Sequence, residues 1–579
     1  MTTVPSSSVS TRIADTLSRH VTDVFGVMGN GNARFIEALF TDHDDRVRYT
    51  AVRHETAAVA AAVAYYRASG RIAVATATYG AGLTNTLTAL TEAVQARIPL
   101  LLVVGDAPTS GRRPWDIDQE ALASSIGATT FTVSADTAGH VTIAALEYAL
   151  NHRTPVVLAI PYDLTAAEAA DEAADDRMPP RVTLTPPVAP DSQATDAAAA
   201  VLARAERPLI LAGRGAWVSG AGAALGRLAD ALGAVTTSTA LGRGIFPRPQ
   251  FDLGVTGGFG HDDAMALVRT ADVVLVVGAS LNQFTTKFGT LFAPGTTVVR
   301  IDDDIADNIA DDPDDHDRDQ DQDQDAQHPS RPMLVVGDAR RAVEEIVSRL
   351  DAIGAPASGW REAVPGLASG AFRHREAGEE HLPDGLLDPR RVAARLAELL
   401  PEDRIVVSDG GHFIGWANTY WEVSAPNRML MVGTAFQSIG LGFPSAVGAT
   451  TALPDSLLVV TTGDGGGLMG LADLDSVIRS ARRGVIIVWN DAAYGAEIHM
   501  YGRMGLDPRP MLIEQADFAA LSRALGGRGD VIRTLSDLSA FERWLKAGVD
   551  GVYLLDCRIS RSIIAPYQHE IYEHATTER

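Results

Sequence analysis

Two segments carry residues whose types and spacing could bind a metal and a phosphate. Gly463-Asp464-Gly465-Gly466-Gly467 follows the apolar run Leu457 to Thr462, and Asn490-Asp491-Ala492-Ala493-Tyr494-Gly495 follows Val485 to Trp489. An aspartate at a strand end, among glycines and ahead of a helix, combines a metal ligand with an anion cradle, because glycine lets backbone amides approach phosphate oxygens. Asp491 lies 27 positions after Asp464. A helix and a strand fill that interval, so the two loops can meet at neighbouring strand ends. Oxygen ligands from Asp464, Asp491 and the carbonyl of Ala493 suit Mg2+, leaving octahedral positions for phosphate oxygens and water. Gly-Asp-Gly alone is a weak signal; its spacing to the second loop makes it specific.

The elements that must position these loops read as βα units. Apolar runs rich in Val, Ile and Leu recur, each followed by a Gly- or Asp-containing turn and an Ala-rich amphipathic stretch, the pattern of buried parallel strands alternating with helices. The strands expected are Ile72 to Thr78, Leu100 to Gly105, Val156 to Pro161, Leu209 to Gly213, Val273 to Gly278, Val298 to Asp302, Ile405 to Asp409, Leu457 to Thr462, Val485 to Asn490 and Tyr553 to Asp556. They fall into three groups, predicting an α/β protein of three doubly wound parallel-sheet domains. The divisions are 1–170, a Pro-rich linker 171–191, a central domain 192–350, a linker 351–389 and a last domain 390–579.

Within the central domain, residues 302–331 hold 13 Asp against two Arg, a net −11. Such a segment repels itself and has little to bury, so a solvated insertion is expected. Calcium binding is the alternative, but the glycine turn and closing glutamate of an EF-hand loop are missing. The chain as a whole has 46% hydrophobic and 21% charged residues, an ordinary globular balance. Its formal charge of −24 disfavours a nucleic-acid or anionic-membrane partner. The single cysteine, Cys557, excludes an internal disulfide and sits in an apolar run, where a buried strand residue is the plain reading. No long uncharged apolar stretch or secretory leader is evident, so a cytoplasmic protein is expected.

The Gly-Asp-Gly and Asn490-Asp491 pair resembles the cofactor motif of the thiamine-diphosphate enzymes, the acetolactate synthase and pyruvate decarboxylase superfamily, with Asp491 where the family usually has a second Asn. Other segments extend the resemblance. Val24 to Asn32, with Gly29, is similar to the family's first glycine-rich turn, and Arg53-His54-Glu55 to the segment with its catalytic glutamate. Thr78 to Asn85 is similar to a Gly-Pro-Gly turn, with Tyr79 where many relatives have Ser. Asp116 to Glu120 is similar to the acetolactate-type Asp-Ala-Phe-Gln-Glu, with Asp118 replacing the aromatic. Phe436 to Pro444 contains Ile439, 25 residues before Asp464, and Asp409-Gly410-Gly411-His412 resembles the turn that meets the diphosphate.

The resemblance implies a pyrimidine-binding, a central and a diphosphate-binding domain, with thiamine diphosphate and Mg2+ as cofactors. Glu55 would hydrogen-bond the aminopyrimidine ring, favouring the imino tautomer that takes the thiazolium proton. Ile439 would wedge the cofactor into its bent shape, and Gln119 would face substrate. Gly29, Gly410, Gly465, Gly466, Asp491 and Tyr494 would contact the cofactor, and His412 would bind phosphate or act on substrate. Plainer readings stay open for Glu55 as a helix N-terminal residue, for Ile439 as core, and for His412 as a structural loop residue.

The implied activity is acetolactate-synthase-like carboligation, in which a carbanion or enamine formed from a 2-oxo acid adds to a carbonyl acceptor. The alternative is non-oxidative decarboxylation or carbon-carbon lysis. Tyr162 stands where acetolactate synthases have lysine, and Met500 falls where their pocket tryptophan is expected. Arg112-Arg113 lies near where pyruvate decarboxylases have paired histidines. FAD in the central domain is the less favoured reading, since glycine after a parallel strand, as in Gly213-Arg214-Gly215 and Gly278-Ala279-Ser280, needs no ligand. A site shared between subunits implies a homodimer or homotetramer.

Overall fold

The computed structural model describes residues 7–170, 181–303 and 332–577, with side chains of the final helix described as far as 572. Most of the acidic segment and the first part of the 171–191 linker lie outside the described residues. Among the described residues eighteen strands form three six-stranded sheets, and every strand pair within them is parallel. The doubly wound α/β architecture expected from the sequence is therefore present. Among the described residues no helix is long and apolar enough to cross a membrane.

The first sheet holds β1 (Asp23–Gly26), β2 (Arg48–Ala51), β3 (Val74–Ala77), β4 (Leu100–Asp106), β5 (Thr129–Thr132) and β6 (Pro155–Pro161), in the order β2-β1-β3-β4-β6-β5. The central sheet holds β7 (Pro208–Ala212), β8 (Val235–Ser238), β9 (Asp252–Val255), β10 (Val273–Val277), β11 (Thr297–Asp302) and β12 (Met333–Val336), ordered β12-β11-β10-β7-β8-β9. The last holds β13 (Arg404–Ser408), β14 (Met429–Met431), β15 (Leu457–Gly463), β16 (Arg483–Asn490), β17 (Arg528–Ile532) and β18 (Gly551–Arg558), ordered β14-β13-β15-β16-β18-β17. First and last sheets thus repeat one topology. The central sheet has a different one, the order of dinucleotide-binding folds.

In the central domain the switch point lies between β7 and β10, and the loops there pack on each other. A Cβ on Gly213 would stand 2.4 Å from the Gly278 carbonyl oxygen, and one on Gly278 would stand 2.2 Å from the Ala216 amide nitrogen. These glycines are required by backbone packing, whatever the crevice binds.

One hydrophobic cluster joins the first and last domains, while the central domain has two of its own and contributes Val255 and Phe259 to a cluster of the last domain. The link is the alanine-rich helix Glu55–Ser69 lying on Gly442–Ala452. Small side chains let the two backbones approach: a Cβ on Gly448 would fall 1.8 Å from the Ala61 carbonyl oxygen. Polar contacts fix the same interface. The Arg53 amide donates to Asp473 at 2.9 Å and the Phe436 amide to Glu92 at 2.7 Å. Burial holds the Glu92 carboxyl above its usual range, partly offset by that amide and by Arg67. The helix that begins at Glu55 and the segment that carries Ile439 are consequently one rigid body.

Candidate active site

β15 runs straight into a short helix, Asp464–Met469, whose first residue is Asp464 itself. The sequence placed these glycines ahead of a helix; instead they form its first turn. Asp464 is 2% exposed. Its Oδ1 accepts from the Gly465 amide at 3.0 Å, and its Oδ2 is buried without a well-formed hydrogen bond, although the Ala492 and Ala493 amides lie close enough to favour the charged form. A buried anionic oxygen so placed is costly, and a cation is the ordinary remedy. Asp491, at the end of β16, is 9% exposed. Burial and the neighbouring Asp464 push its carboxyl up to about 7, and burial pushes Asp464 up to about 6. Two carboxylates crowded together out of water favour a divalent ion between them.

The loop after Asp491 is held in a strained shape. Ala492 has φ +56°, a left-handed conformation that costs a non-glycine residue energy and concentrates at functional positions. It is clamped by the Ile513 amide donating to the Ala492 carbonyl at 3.0 Å and the Tyr494 amide donating to Met511 at 2.8 Å. Between them sits Ala493, the expected carbonyl ligand. Among the described residues no three of His, Cys, Asp and Glu gather as a metal site, so a cation here would have to draw on two carboxylates and on backbone carbonyls. Asn490 faces elsewhere: its Nδ2 donates to Asp556 at 2.9 Å and to the Ala516 carbonyl at 3.2 Å. The Asn490-Asp491 pair therefore divides into a brace and a candidate ligand.

The glycines fit around these side chains. A Cβ on Gly465 would lie 2.6 Å from the Tyr494 ring, and one on Gly466 would lie 2.8 Å from Asp409 Oδ2. Asp409 is the residue that sequence reasoning passed over. It is 1% exposed and accepts from Gly410 at 2.9 Å, Gly440 at 3.1 Å, Leu441 at 3.2 Å and Thr462 at 3.0 Å. Burial raises its carboxyl to about 6 against those hydrogen bonds. One carboxylate thus joins the end of β13, the turn after Ile439 and the strand leading to Asp464. Ile439, half-buried, lies over Gly410, where a Cβ would meet its Cγ2 at 3.2 Å.

His412 is 8% exposed, and its Nε2 accepts from the Ala565 amide at 2.9 Å. The proton is therefore on Nδ1. Burial, then His499 and His569, lowers its pKa to about 3, so the ring is neutral. A Cβ on Gly495 would lie 3.0 Å from Asp491 Oδ2 and 3.3 Å from His412 Nδ1, placing both groups on that glycine. The His499 ring is 4.9 Å from that of His412.

In the first domain, Glu55 opens its helix half-buried, and its Oε2 accepts from Asn85 at 2.9 Å. Among the described residues no hydrogen bond joins it to the Asp464–Asp491 pair within the chain. Gln119, the residue expected to face substrate, is held by groups of its own domain. It is 5% exposed, its Oε1 accepts from Gly80 at 2.6 Å, and its Nε2 donates to Gly105 at 2.8 Å and Asp106 at 3.0 Å. Gly29 packs on Thr78, where a Cβ would lie 2.7 Å from the threonine Cβ.

Residues 7–126, 195–313 and 409–557 match three families described as thiamine pyrophosphate enzyme N-terminal TPP binding domain, central domain and C-terminal TPP binding domain. Thiamine pyrophosphate is another name for thiamine diphosphate. A probable acetolactate synthase large subunit of Methanocaldococcus jannaschii is 28% identical over 94% of this chain and 90% of its own length. A probable 2-ketoarginine decarboxylase of Pseudomonas aeruginosa is 29% identical over 93% and 91%. A sulfoacetaldehyde acetyltransferase of Castellaniella defragrans is 27% identical over 92% and 88%. Among solved structures, a thiamine diphosphate-dependent 4-hydroxybenzoylformate decarboxylase of Rhodococcus jostii shares the fold, with TM-score 0.74 at 22% identity over 96% of this chain and 99% of that one. With all three domains matched in order across more than half its length, the chain belongs to the thiamine-diphosphate-dependent enzyme superfamily, with acetolactate synthase large subunits among its relatives.

Proposed function

We propose that this chain is a Mg2+-dependent enzyme that removes carbon dioxide from a 2-oxo acid and joins the acyl fragment to a carbonyl acceptor, an acetolactate-synthase-like carboligase. The observation that carries the reading is the Asp464 Oδ2, without a well-formed hydrogen bond, beside the buried Asp491 carboxylate, a cation-demanding pair where the family motif calls for one. Bound thiamine diphosphate supplies the electron sink for breaking the bond beside the 2-oxo carbon.

Asp464, Asp491 and the Ala493 carbonyl would hold the magnesium. Gly410, Gly465 and Gly466 would face the diphosphate, with Ile439, Tyr494 and, from the first domain, Gly29 against the rest of the cofactor. His412, neutral and protonated on Nδ1, can donate a hydrogen bond but cannot serve as a cationic acid at neutral pH. Glu55 has Oε1 to hold a proton, since Asn85 engages Oε2. Gln119 acts as a positioning residue that fixes the Gly80 turn. Among the described residues the Glu55 carboxylate bonds Asn85 and no hydrogen bond joins it to the Asp464 site, an arrangement in keeping with a homodimer or homotetramer in which two subunits complete each site.

Non-oxidative decarboxylation is the second reading. His499 favours it, because its Nε2 is buried without a hydrogen-bond partner beside His412 and could pass a proton to the acyl fragment. Holoenzyme reconstituted with thiamine diphosphate and Mg2+ should convert pyruvate or another 2-oxo acid into a ligated hydroxyketone or 2-hydroxy-2-acyl acid. Aldehyde as the sole product would establish the second reading, and no carbon dioxide from any 2-oxo acid would overturn both.

A further inference from the structure

Tyr79, Arg113 and Tyr162, far apart in sequence, come together at the carboxyl end of the first sheet. They sit on the loops after β3, β4 and β6. The Arg113 guanidinium carbon lies 4.5 Å from the Tyr79 ring centre and 4.6 Å from that of Tyr162. The two rings stand edge to face, 6.0 Å apart. Asp116 grips the guanidinium bidentately, from Nε at 2.8 Å and Nη2 at 2.9 Å. This balances the charge and leaves Nη1 outside that pair. Asn30 Nδ2 donates to the Tyr79 hydroxyl at 3.2 Å and, more weakly, to the Tyr162 hydroxyl at 3.4 Å. Each phenol oxygen already accepts, so each phenol hydrogen is left to donate.

The cluster is built rather than incidental. The Thr109 amide donates to Asp163 at 2.9 Å, pinning the loop of Arg113 to the loop of Tyr162. The turn that begins at Tyr79 ends at Asn85, the residue that holds Glu55. Arg113 is 19% exposed along its side chain and both tyrosines are half-buried, so the group is reachable from solvent. A planar guanidinium nitrogen with two phenol donors matches the acceptor geometry of a carboxylate.

We infer that Arg113, Tyr79 and Tyr162 form the subsite that binds the substrate carboxylate and so sets selectivity for 2-oxo acids; this rests on the 2-oxo acid reading above. Tyr162→Phe removes one hydroxyl, and Arg113→Lys keeps the charge but loses the fork, so neither exposes a large cavity. In the holoenzyme each should raise KM for 2-oxo acids by roughly tenfold or more, with kcat changed far less and KM for an uncharged aldehyde acceptor unaltered. Binding is read separately with lactate, which keeps the carboxylate but has no 2-oxo carbon to react, through the fluorescence of nearby Trp115. Lactate binding weakened in both variants supports the subsite even if no 2-oxo acid is turned over, in which case only the functional reading fails. Unchanged KM in both variants, or lactate binding that is absent from the wild type or equal in all three proteins, overturns the subsite.

Discussion

The first and last sheets share a strand order, yet their carboxyl ends are opposites. In the first domain the polar groups satisfy one another: Gln119 with Gly80, Gly105 and Asp106, Arg113 with Asp116, Asp163 with Thr109, and Glu55 with Asn85. In the last domain two carboxylates are buried side by side and one oxygen lacks a well-formed hydrogen bond. Topology supplied the same crevice twice; the side chains made one end self-sufficient and left the other in need of a cation. A self-satisfied end suits holding and recognising. An end with surplus negative charge suits taking up a metal.

The contrast can be broken by changing one end and reading the other. Glu55→Gln should lower turnover by about 10²–10⁴-fold, the range for losing a positioned acid or base. The Mg2+-dependent rise in melting temperature should stay as in the wild type, because the proposed cation site lies at the other end. Gly448→Val should do the most structural harm, since its side chain would meet the Ala61 carbonyl where the two helices touch. A loss of roughly 3 kcal/mol or more is expected by denaturant unfolding, and both ends should suffer together. Asp409→Ala should cost about 2 kcal/mol, because the Gly440 and Leu441 amides lose their shared acceptor. Here the readout that a general loss of stability would not give is a larger fall in thiamine diphosphate affinity than in Mg2+ affinity, as the turn of Ile439 loosens.

The last prediction concerns pH. Asp464 and Asp491, raised to about 6 and about 7, bind protons in the folded protein that the unfolded chain has already released. Stability of protein stripped of divalent ions should therefore fall as pH rises from about 4 to about 7. Saturating Mg2+ with cofactor should flatten that decline. Melting curves across this range, with and without the metal, check the sign.

All ten strands expected from the sequence are present, because each is a buried run whose apolar continuity marks a parallel strand. The missed strands are short or half-exposed: β2 is Arg-Tyr-Thr-Ala with no fully buried residue, and β14 has only three residues. β1 is buried, but its four residues begin with Asp and end in Gly. At the site, Asp464 and Asp491 were legible because their loops follow adjacent strands and the spacing is local. Asp409 was not, since its donors come from residues 410, 440, 441 and 462, a convergence that no local pattern encodes. Gln119 was read from its motif as facing substrate, while its hydrogen bonds to Gly80, Gly105 and Asp106 come from loops that no local pattern joins. Tyr79 and Tyr162 stood out singly as departures, and only folding brought Arg113 between them.

The central claim is that Asp464 and Asp491 hold the divalent ion through which thiamine diphosphate binds. Calorimetric titration of purified protein with thiamine diphosphate, in Mg2+ and in EDTA, tests it for the wild type and Asp464→Ala. Binding that requires Mg2+ and vanishes in Asp464→Ala is the predicted result; equal affinity in EDTA, or in the variant, would contradict it.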